Sequence, residues 1–373
     1  MHVSRIELAD YRNYERAQLQ LGPGPTLFVG QNGQGKPNLV EAVVVLATGA
    51  SHRVAGETAL VRAGQDAAVI RSELTHGQRT ISLDVQLQRK GANRAQAQGR
   101  RIPMRDLPRY AQVVLFAPED LALIRGEPGG RRRFLDELAV NRQPLLAAAI
   151  GDYEKVLRQR NSLLKSARQM RLRSEDLTTL EVWDDRMISL GIEIEAARQR
   201  LVSDLDPHVE QAYQQIAGDE HATQLELETN VPPNADDYRA LLAQRRQDEL
   251  DRAVSLVGPH RDDLHLNLNS LLARHYASHG ESWSYALSLK LASAQLLRGE
   301  SAGDPVLILD DVFAELDSSR RERLADAIDG FEQVLITAAV EGDVPAELAN
   351  RRIRIAAGAV IADSADSEAS DGE

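Results

Sequence analysis

The stretch Gly30-Gln31-Asn32-Gly33-Gln34-Gly35-Lys36-Pro37 decides how this chain is read. It matches the phosphate-binding pattern G-x-x-x-x-G-K-[ST] at every fixed place but the last, where proline stands instead of a hydroxyl residue. The glycines let backbone N–H groups close around phosphate oxygens, Lys36 carries positive charge to the outer phosphates, and a following helix presents its positive end to the same anion. The absent hydroxyl is the one that normally binds magnesium. By itself the pattern is weak. At average glycine usage of about 7%, G-x-x-x-x-G-K arises by chance in roughly one chain in ten of this length, and a glycine-rich turn without ligand is the plain alternative.

The surrounding residues strengthen it. Thr26-Leu27-Phe28-Val29 is a short apolar strand candidate directly before the loop, and residues 38–47 form an apolar helix after it, the strand-loop-helix order that phosphate binding needs. Such a site also requires a strand ending in acid, to hold magnesium and orient water. Pro305-Val306-Leu307-Ile308-Leu309-Asp310-Asp311 is an apolar run of the kind a buried parallel strand shows, closed by two carboxylates. Asp310 is placed for the metal and Asp311 for the attacking water; a capping acidic pair after an ordinary core strand is the bland alternative. Ser278-His279-Gly280-Glu281-Ser282 opens a helix expected over about 283–297, an order that suits a helix N-terminus contacting an anion. Ala314-Glu315-Leu316-Asp317 precedes another helix, and residues 333–339 read as a second buried strand with Thr337 at its carboxyl end, where a residue can sense a terminal phosphate.

With 373 residues the chain exceeds the usual size of a single core, so two lobes are expected. Its net charge of -12 argues against indiscriminate binding to DNA or anionic membranes, so any nucleic-acid site must be a local patch. There are no cysteines, which excludes disulfides, thiolate metal sites and cysteine nucleophiles together. The N-terminus alternates like a strand and lacks the apolar segment of a secretory signal, and no apolar run of membrane-spanning length of about 18 residues occurs. A soluble, cytoplasmic protein without membrane contact is expected.

The pattern is strand-rich to about residue 116, long helical stretches follow over 131–140, 145–173 and 180–216, and strand-helix alternation returns from about 253. The expected division is 1–117 as the N-terminal part of one lobe, 118–252 as a helical arm, 253–356 as the C-terminal part of that lobe and 357–373 as an acidic disordered tail. Between 131 and 173 there are eleven Arg and Lys (131, 132, 133, 142, 155, 158, 160, 165, 168, 171, 173) against four acids (136, 137, 152, 154), a local excess of +7. Arg158, Lys165 and Arg168 are spaced to share one helix face. A solvated helix face and a nucleic-acid track are both open readings of that stripe.

At this point the chain resembles the RecF DNA-repair ATPases, relatives of ABC-type and chromosome-maintenance (SMC) ATPases, over nearly its whole length. The matching residues are Asp10-Tyr11-Arg12-Asn13-Tyr14, the loop at 30–37, Ser51-His52-Arg53, Phe116-Ala117-Pro118-Glu119-Asp120-Leu121, Arg131-Arg132-Arg133-Phe134-Leu135-Asp136, Val257-Gly258-Pro259-His260-Arg261-Asp262-Asp263-Leu264, the 278–284 segment and residues 309–317. The form Ala277-Ser278-His279-Gly280-Glu281-Ser282-Trp283-Ser284 is similar to the actinobacterial branch. The resemblance implies an α/β fold: an ABC/SMC-like ATPase head built from the two chain ends (lobe I, mixed sheets with helices) and an inserted α-helical arm (lobe II). It further implies ATP and Mg2+ as cofactors and an ATP-dependent homodimer, with the phosphate loop of one subunit facing Ser278, Gly280 and Glu281 of the other. Closed, such a dimer grips single-stranded, gapped or junction DNA, works with the RecO and RecR mediators to load RecA, and supports the SOS response; slow hydrolysis opens it.

Carried over residue by residue, Gly30, Gln31, Asn32, Gly33, Gln34, Gly35, Lys36 and Pro37 bind nucleotide, with Lys36 on the outer phosphates. Asp310 binds the metal and Asp311 orients water. Arg12 lies where related heads contact nucleotide, with a surface arginine as the alternative. The role of His260-Arg261-Asp262-Asp263 is left between function and packing at a helix-strand junction.

Pro37 is the departure. It offers neither a hydroxyl to a metal nor an N–H to a phosphate, and it is expected to push Lys36 from helical geometry, although proline is tolerated in a helix's first turn. Very weak or absent hydrolysis follows. The alternative function is a non-hydrolysing scaffold that binds DNA or mediators; a transporter ATPase subunit is a distant third reading, disfavoured by the arm.

Overall fold

The structure is a computed structural model, and it describes residues 1–54, 56–172, 178–218, 221–298 and 303–364. The chain opens with β1 (His2–Tyr11), β2 (Tyr14–Gln20), β3 (Gly24–Val29), α1 (Lys36–Thr48), β4 (Ala67–His76), β5 (Arg79–Gln88), β6 (Arg94–Ala97), β7 (Arg100–Ile102) and β8 (Val113–Phe116). Its middle runs through α2 (Leu121–Arg125), α3 (Pro128–Arg142), α4 (Leu146–Gln169), α5 (Thr178–Ala217), β9 (Thr223–Glu228), α6 (Ala235–Arg252), β10 (Asp263–Leu268), β11 (Leu271–Leu272) and α7 (Ala273–Tyr276). It closes with α8 (His279–Arg298), β12 (Val306–Asp310), α9 (Ser318–Ile328), β13 (Gln333–Ala338), β14 (Arg351–Ala356) and β15 (Ala359–Asp363).

Two compact units result. The first is made of Met1–Leu121, His208–His221 and Ser278–Glu373, the second of Ala122–Pro207 and Ala222–Ala277. The second unit thus reaches Ala277 and not 252, because β10 and β11 pair with β9 in a three-stranded sheet and draw 263–272 into the insertion. The acidic tail is also shorter than its expected bounds. Residues 359–363 form β15, an antiparallel edge strand on β14, while 365–373 lie outside the described residues.

In the first unit, one antiparallel sheet has the order β2-β1-β4-β5-β6-β7, and a second has the order β15-β14-β3-β13-β12-β8. The second is parallel except at β15. Every residue of β12 and β13 is buried, as apolar runs covered on both faces must be. Helix α1 is apolar all round, and residues of both sheets join it in one core, which is why its sequence lacks a polar face. It starts at Lys36, two residues before the expected start and with Pro37 inside its first turn, so the proline does not expel Lys36 from the helix. The first-turn N–H groups have no intrahelical acceptor, and losing one costs the helix nothing.

The second unit is helical with its own core, centred on Tyr153, Val156, Met187, Ile188, Ile194, Tyr238 and Leu242. Two buried arginines inside it are held by carboxylates. Arg160, with no exposure, donates to Asp184 (2.8 Å), Ser255 (2.7 Å) and Glu249 (2.5 Å). Arg131 forms a two-pronged bond to Asp263 at 2.6 and 2.9 Å.

The motif at 260–263 is part of the same scaffold. His260 Nδ1 lies 2.8 Å from the Tyr153 hydroxyl and Nε2 3.1 Å from the Ser255 carbonyl, Asp262 takes a 2.8 Å bond from Arg198, and Asp263 holds Arg131. Packing of the loop before β10 onto the helices accounts for all four residues, since Arg261 also donates to the Ser255 carbonyl. Burial pushes His260 down to about 4, helped by the charges of Arg261, Arg132 and Arg160. Burial and the neighbouring Glu195 carboxylate push Asp262 up to about 7, against Arg198 and a Thr229 hydrogen bond.

These shifts make a pH prediction with opposing halves. Below pH 6.5 the unfolded chain takes up a proton on His260 that the folded unit refuses down to about pH 4, so acid favours unfolding across that window. Asp262 works the other way, because the folded carboxyl keeps its proton up to about pH 7 and the unfolded one releases it near 3.8. In Glu195→Gln the second effect shrinks and the first remains. Urea midpoints at pH 7 and pH 4.5 should fall further on acidification for this variant than for the parent protein; equal falls would contradict the assignment.

Candidate nucleotide site

The parallel sheet brings the predicted residues together at its carboxyl edge, the end where ligands of such sheets bind. Val29 ends β3 beside Ala338 of β13, and Thr337 is in register with Asp310 of β12, so the loop after β3 and the acidic end of β12 flank the same strand. Thr337 Oγ1 donates to Asp310 Oδ1 at 2.6 Å and accepts from the Asp311 N–H at 3.0 Å. Thr337, expected to sense phosphate, therefore also sets the orientation of Asp310. Asp311 turns away from the strand at φ 57°, a left-handed conformation uncommon for aspartate and often found at functional sites.

The loop itself is shaped by glycine. Gly33 and Gly35 sit at φ 81° and 112°, and a Cβ on Gly35 would come 2.7 Å from Asn13 Nδ2. On Gly30 it would lie 2.3 Å from the Ile355 carbonyl oxygen. Lys36 is 2% exposed, and its ammonium donates to the carbonyls of Gly30 and, at 3.1 Å, Gln31. Burial pulls its pKa down, while the carboxylates of Asp311 and Asp310 pull it back up. Asp310 is raised by burial and lowered by its Thr337 bond and the Arg53 charge. A buried carboxylate so placed, with one oxygen fixed by Thr337, suits a divalent cation. Pro37 adds no oxygen to that set.

Sequence reasoning missed the side chains that brace the loop from behind. Asn13 Nδ2 donates to the Gln34 carbonyl (3.2 Å), Asn38 to Asn13 Oδ1 (2.8 Å) and Arg53 to Asn38 Oδ1 (3.1 Å), while the Tyr14 hydroxyl donates to the Gly35 carbonyl (3.0 Å). The blocks 10–14 and 51–53 are visible in the sequence, but nothing in their composition tells which side chain meets which carbonyl. Arg12 is neither free nor superficial. It forms a two-pronged bond at 2.8 and 2.6 Å to Glu41, a fully buried carboxylate of α1 that also accepts from Ser51 and Tyr11. A cleft of about 470 Å3 lined by Arg12, Asn13, Asn38, Arg53, Thr58 and Arg89 opens beside the start of α1.

The 278–281 segment is built separately. Ser278 N–H donates to Glu281 Oε2 (2.7 Å) and Glu281 N–H to Ser278 Oγ (3.3 Å), a reciprocal capping box that starts α8 at His279, earlier than expected. The bonds from Ser278 lower the Glu281 pKa, with His221 and Arg320 adding to the effect. A Cβ on Gly280 would stand 3.2 Å from Arg320 Nη1.

Arg158, Lys165 and Arg168 are exposed on α4, within about 80° of arc at 100° per residue. The +7 excess is smaller at the surface than in the sequence. Arg131 and Arg160 are interior ion-pair partners, Arg142 and Lys155 pair with Asp204 and Asp152, and Arg173 lies outside the described residues. Arg158 stands 3.8 Å from Glu154.

The family model for the RecF/RecN/SMC N-terminal domain matches residues 2–358. DNA replication and repair protein RecF of Leifsonia xyli subsp. xyli is 52% identical over 97% of this chain and 99% of that protein, and RecF of Clavibacter sepedonicus is 51% identical over 97% and 95%. The chain belongs to the RecF family. RecF of Streptomyces avermitilis, 49% identical over 96% and 99%, extends the match. Among solved structures, that of the recombination mediator protein RecF-ATP in the RecFOR pathway superposes with a TM-score of 0.87 at 26% identity, covering 96% of this chain and 97% of that one. An Smc head bound to the C-terminal winged-helix domain of ScpA shares the fold, with a TM-score of 0.57 at 15% identity. Among the described residues no helix is long and apolar enough to cross a membrane.

Proposed function

We propose that this RecF-family chain is an ATP-gated mediator of recombinational repair and replication, acting in the cytoplasm. The observation that carries the reading is the hydrogen-bonded set Asp310–Thr337–Asp311 at the sheet edge, with its two carboxylates acting on the buried Lys36 ammonium. ATP lies on the 30–37 loop, Lys36 meets the outer phosphates and Asp311 orients the attacking water. Mg2+, when bound, neutralises charge on the transferring phosphoryl group; Asp310 is the residue that holds it. Loss of one metal ligand and one phosphate donor at Pro37 leaves ATP with a clamping role and slow hydrolysis. The half-site of Ser278, Gly280 and Glu281 completes the loop of a second copy, so ATP makes the homodimer. The closed dimer holds single-stranded, gapped or junction DNA and, with RecO and RecR, assists RecA loading and the SOS response. The non-hydrolysing scaffold is not favoured, given the match to RecF-ATP across 96% of the chain.

Sedimentation with and without ATP is the direct test. A shift from monomer to dimer only with ATP is expected, and a monomer at saturating ATP would defeat the reading. On DNA, reversing the charges of Arg158, Lys165 and Arg168 should weaken binding about tenfold and flatten the log-log salt dependence by one to three, at about 0.9 per lost phosphate contact. Unchanged affinity would remove α4 as the DNA-contacting face.

A further inference from the structure

The phosphate loop is gripped from outside by the last hairpin of the described chain. Strands β14 and β15 are joined by a two-residue turn, Ala357-Gly358, with Ala356 opposite Ala359. Both turn residues have positive φ, 48° and 72°, as the favoured tight hairpin turn requires. Gly358 N–H donates to the Gln34 carbonyl at 2.9 Å, and Ala357 N–H donates to Gln34 Oε1 at 2.6 Å. A Cβ on Gly358 would lie 2.5 Å from the Asn13 carbonyl oxygen, so the turn is pressed against the β1–β2 turn as well as the loop. One strand position further back, the Ile355 carbonyl abuts Gly30.

Peptide planarity gives this contact a direction. The C=O of one residue and the N–H of the next point opposite ways. With the Gln34 carbonyl held by Gly358 and Asn13, the Gly35 N–H must face away from the two turns. With the Gly35 carbonyl held by Tyr14 and the first turn of α1, the Lys36 N–H must do the same. The outer contacts consume loop carbonyls and leave loop amides for an anion. A glycine-rich loop left to itself loses backbone freedom when a ligand fixes it; here the hairpin imposes part of that order beforehand.

We propose that the Ala357–Gly358 turn is the outer clamp of the phosphate loop, with Gln34 as the positioning residue, so that the C-terminal hairpin helps set nucleotide affinity. This rests on the reading that the loop binds nucleotide. The test uses the full chain, both with its own Pro37 and as Pro37→Thr, titrated with a fluorescent ATP analogue. Gln34→Ala and Gln34→Met, the second keeping side-chain length without the acceptor, should each weaken binding by up to about tenfold, the upper end of what one hydrogen bond contributes. Hydrogen exchange supplies a readout that general stability does not move: ATP should slow exchange of the Ala357 and Gly358 amides in the parent, and Gln34→Met should lose that protection at Ala357 while amides of α9 stay unchanged. Parent binding with unaltered affinity in both Gln34 variants, or without protection at 357–358, overturns the clamp alone. No binding by either the chain with its own Pro37 or the Pro37→Thr chain overturns the nucleotide reading and the clamp with it.

Discussion

Exchanging Pro37 for threonine is expected to raise ATP turnover by about a hundredfold, the scale on which a single preorganised donor to a transition-state charge acts. The substitution restores two groups at once, a backbone N–H for the phosphate and a hydroxyl for the metal proposed at Asp310. The helix should accept it without rearrangement, because α1 starts at Lys36 and position 37 lies in a first turn whose N–H groups have no internal partners. Stability should change little for the same reason. Steady-state hydrolysis with magnesium, measured beside a Lys36→Ala control, is the check; equal rates for the proline and threonine forms would mean that position 37 contributes nothing to the chemistry. An increase in nucleotide affinity without any increase in rate would place the proline's effect in binding alone.

Removing the Arg160 guanidinium should destabilise the inserted unit by about 3–5 kcal/mol, because it strands the fully buried Glu249 carboxylate without a cation and leaves the buried Asp184 to Arg246 alone. Arg160→Met keeps most of the apolar stem and isolates the charge. Adding Glu249→Gln should recover part of the loss, since the cost lies in unpaired charge rather than missing volume. Urea unfolding followed by a signal from the insertion would measure it, and a loss below about 1 kcal/mol for Arg160→Met would show that the network is dispensable. The same residue is one of eleven cations in the apparent basic patch between 131 and 173. A count of charges does not know which of them face the interior.

Much of the site is legible in the sequence because its parts are local. A glycine-rich loop between an apolar run and an apolar helix, and a strand closed by Asp310 and Asp311, follow from short-range pattern and backbone sterics. Helix α8 starts earlier than the sequence reading places it, because the capping box reads equally as a ligand-contacting turn, although Ser278 and Glu281 at three-residue spacing carry the capping signal openly. The hairpin over 351–363 is hidden because its second strand runs into the Ala- and acid-rich stretch 357–373; β14 pairs with β3, far away in the chain, and the alternation of Ile353 and Ile355 is too short to announce a strand.

By itself the sequence determined the family, the phosphate loop and its missing hydroxyl, the paired carboxylates and the insertion of a helical unit between two chain ends. These are encoded in contiguous residues, where spacing alone dictates what the backbone can do. Only the tertiary structure decided that Thr337 holds Asp310, that Arg12 is tied to Glu41, that Asn13, Tyr14 and the 357–358 turn grip the loop, and that Arg131 and Arg160 are interior. Each of those facts joins residues distant in sequence, and such pairings arise from sheet order and burial, which no local pattern specifies.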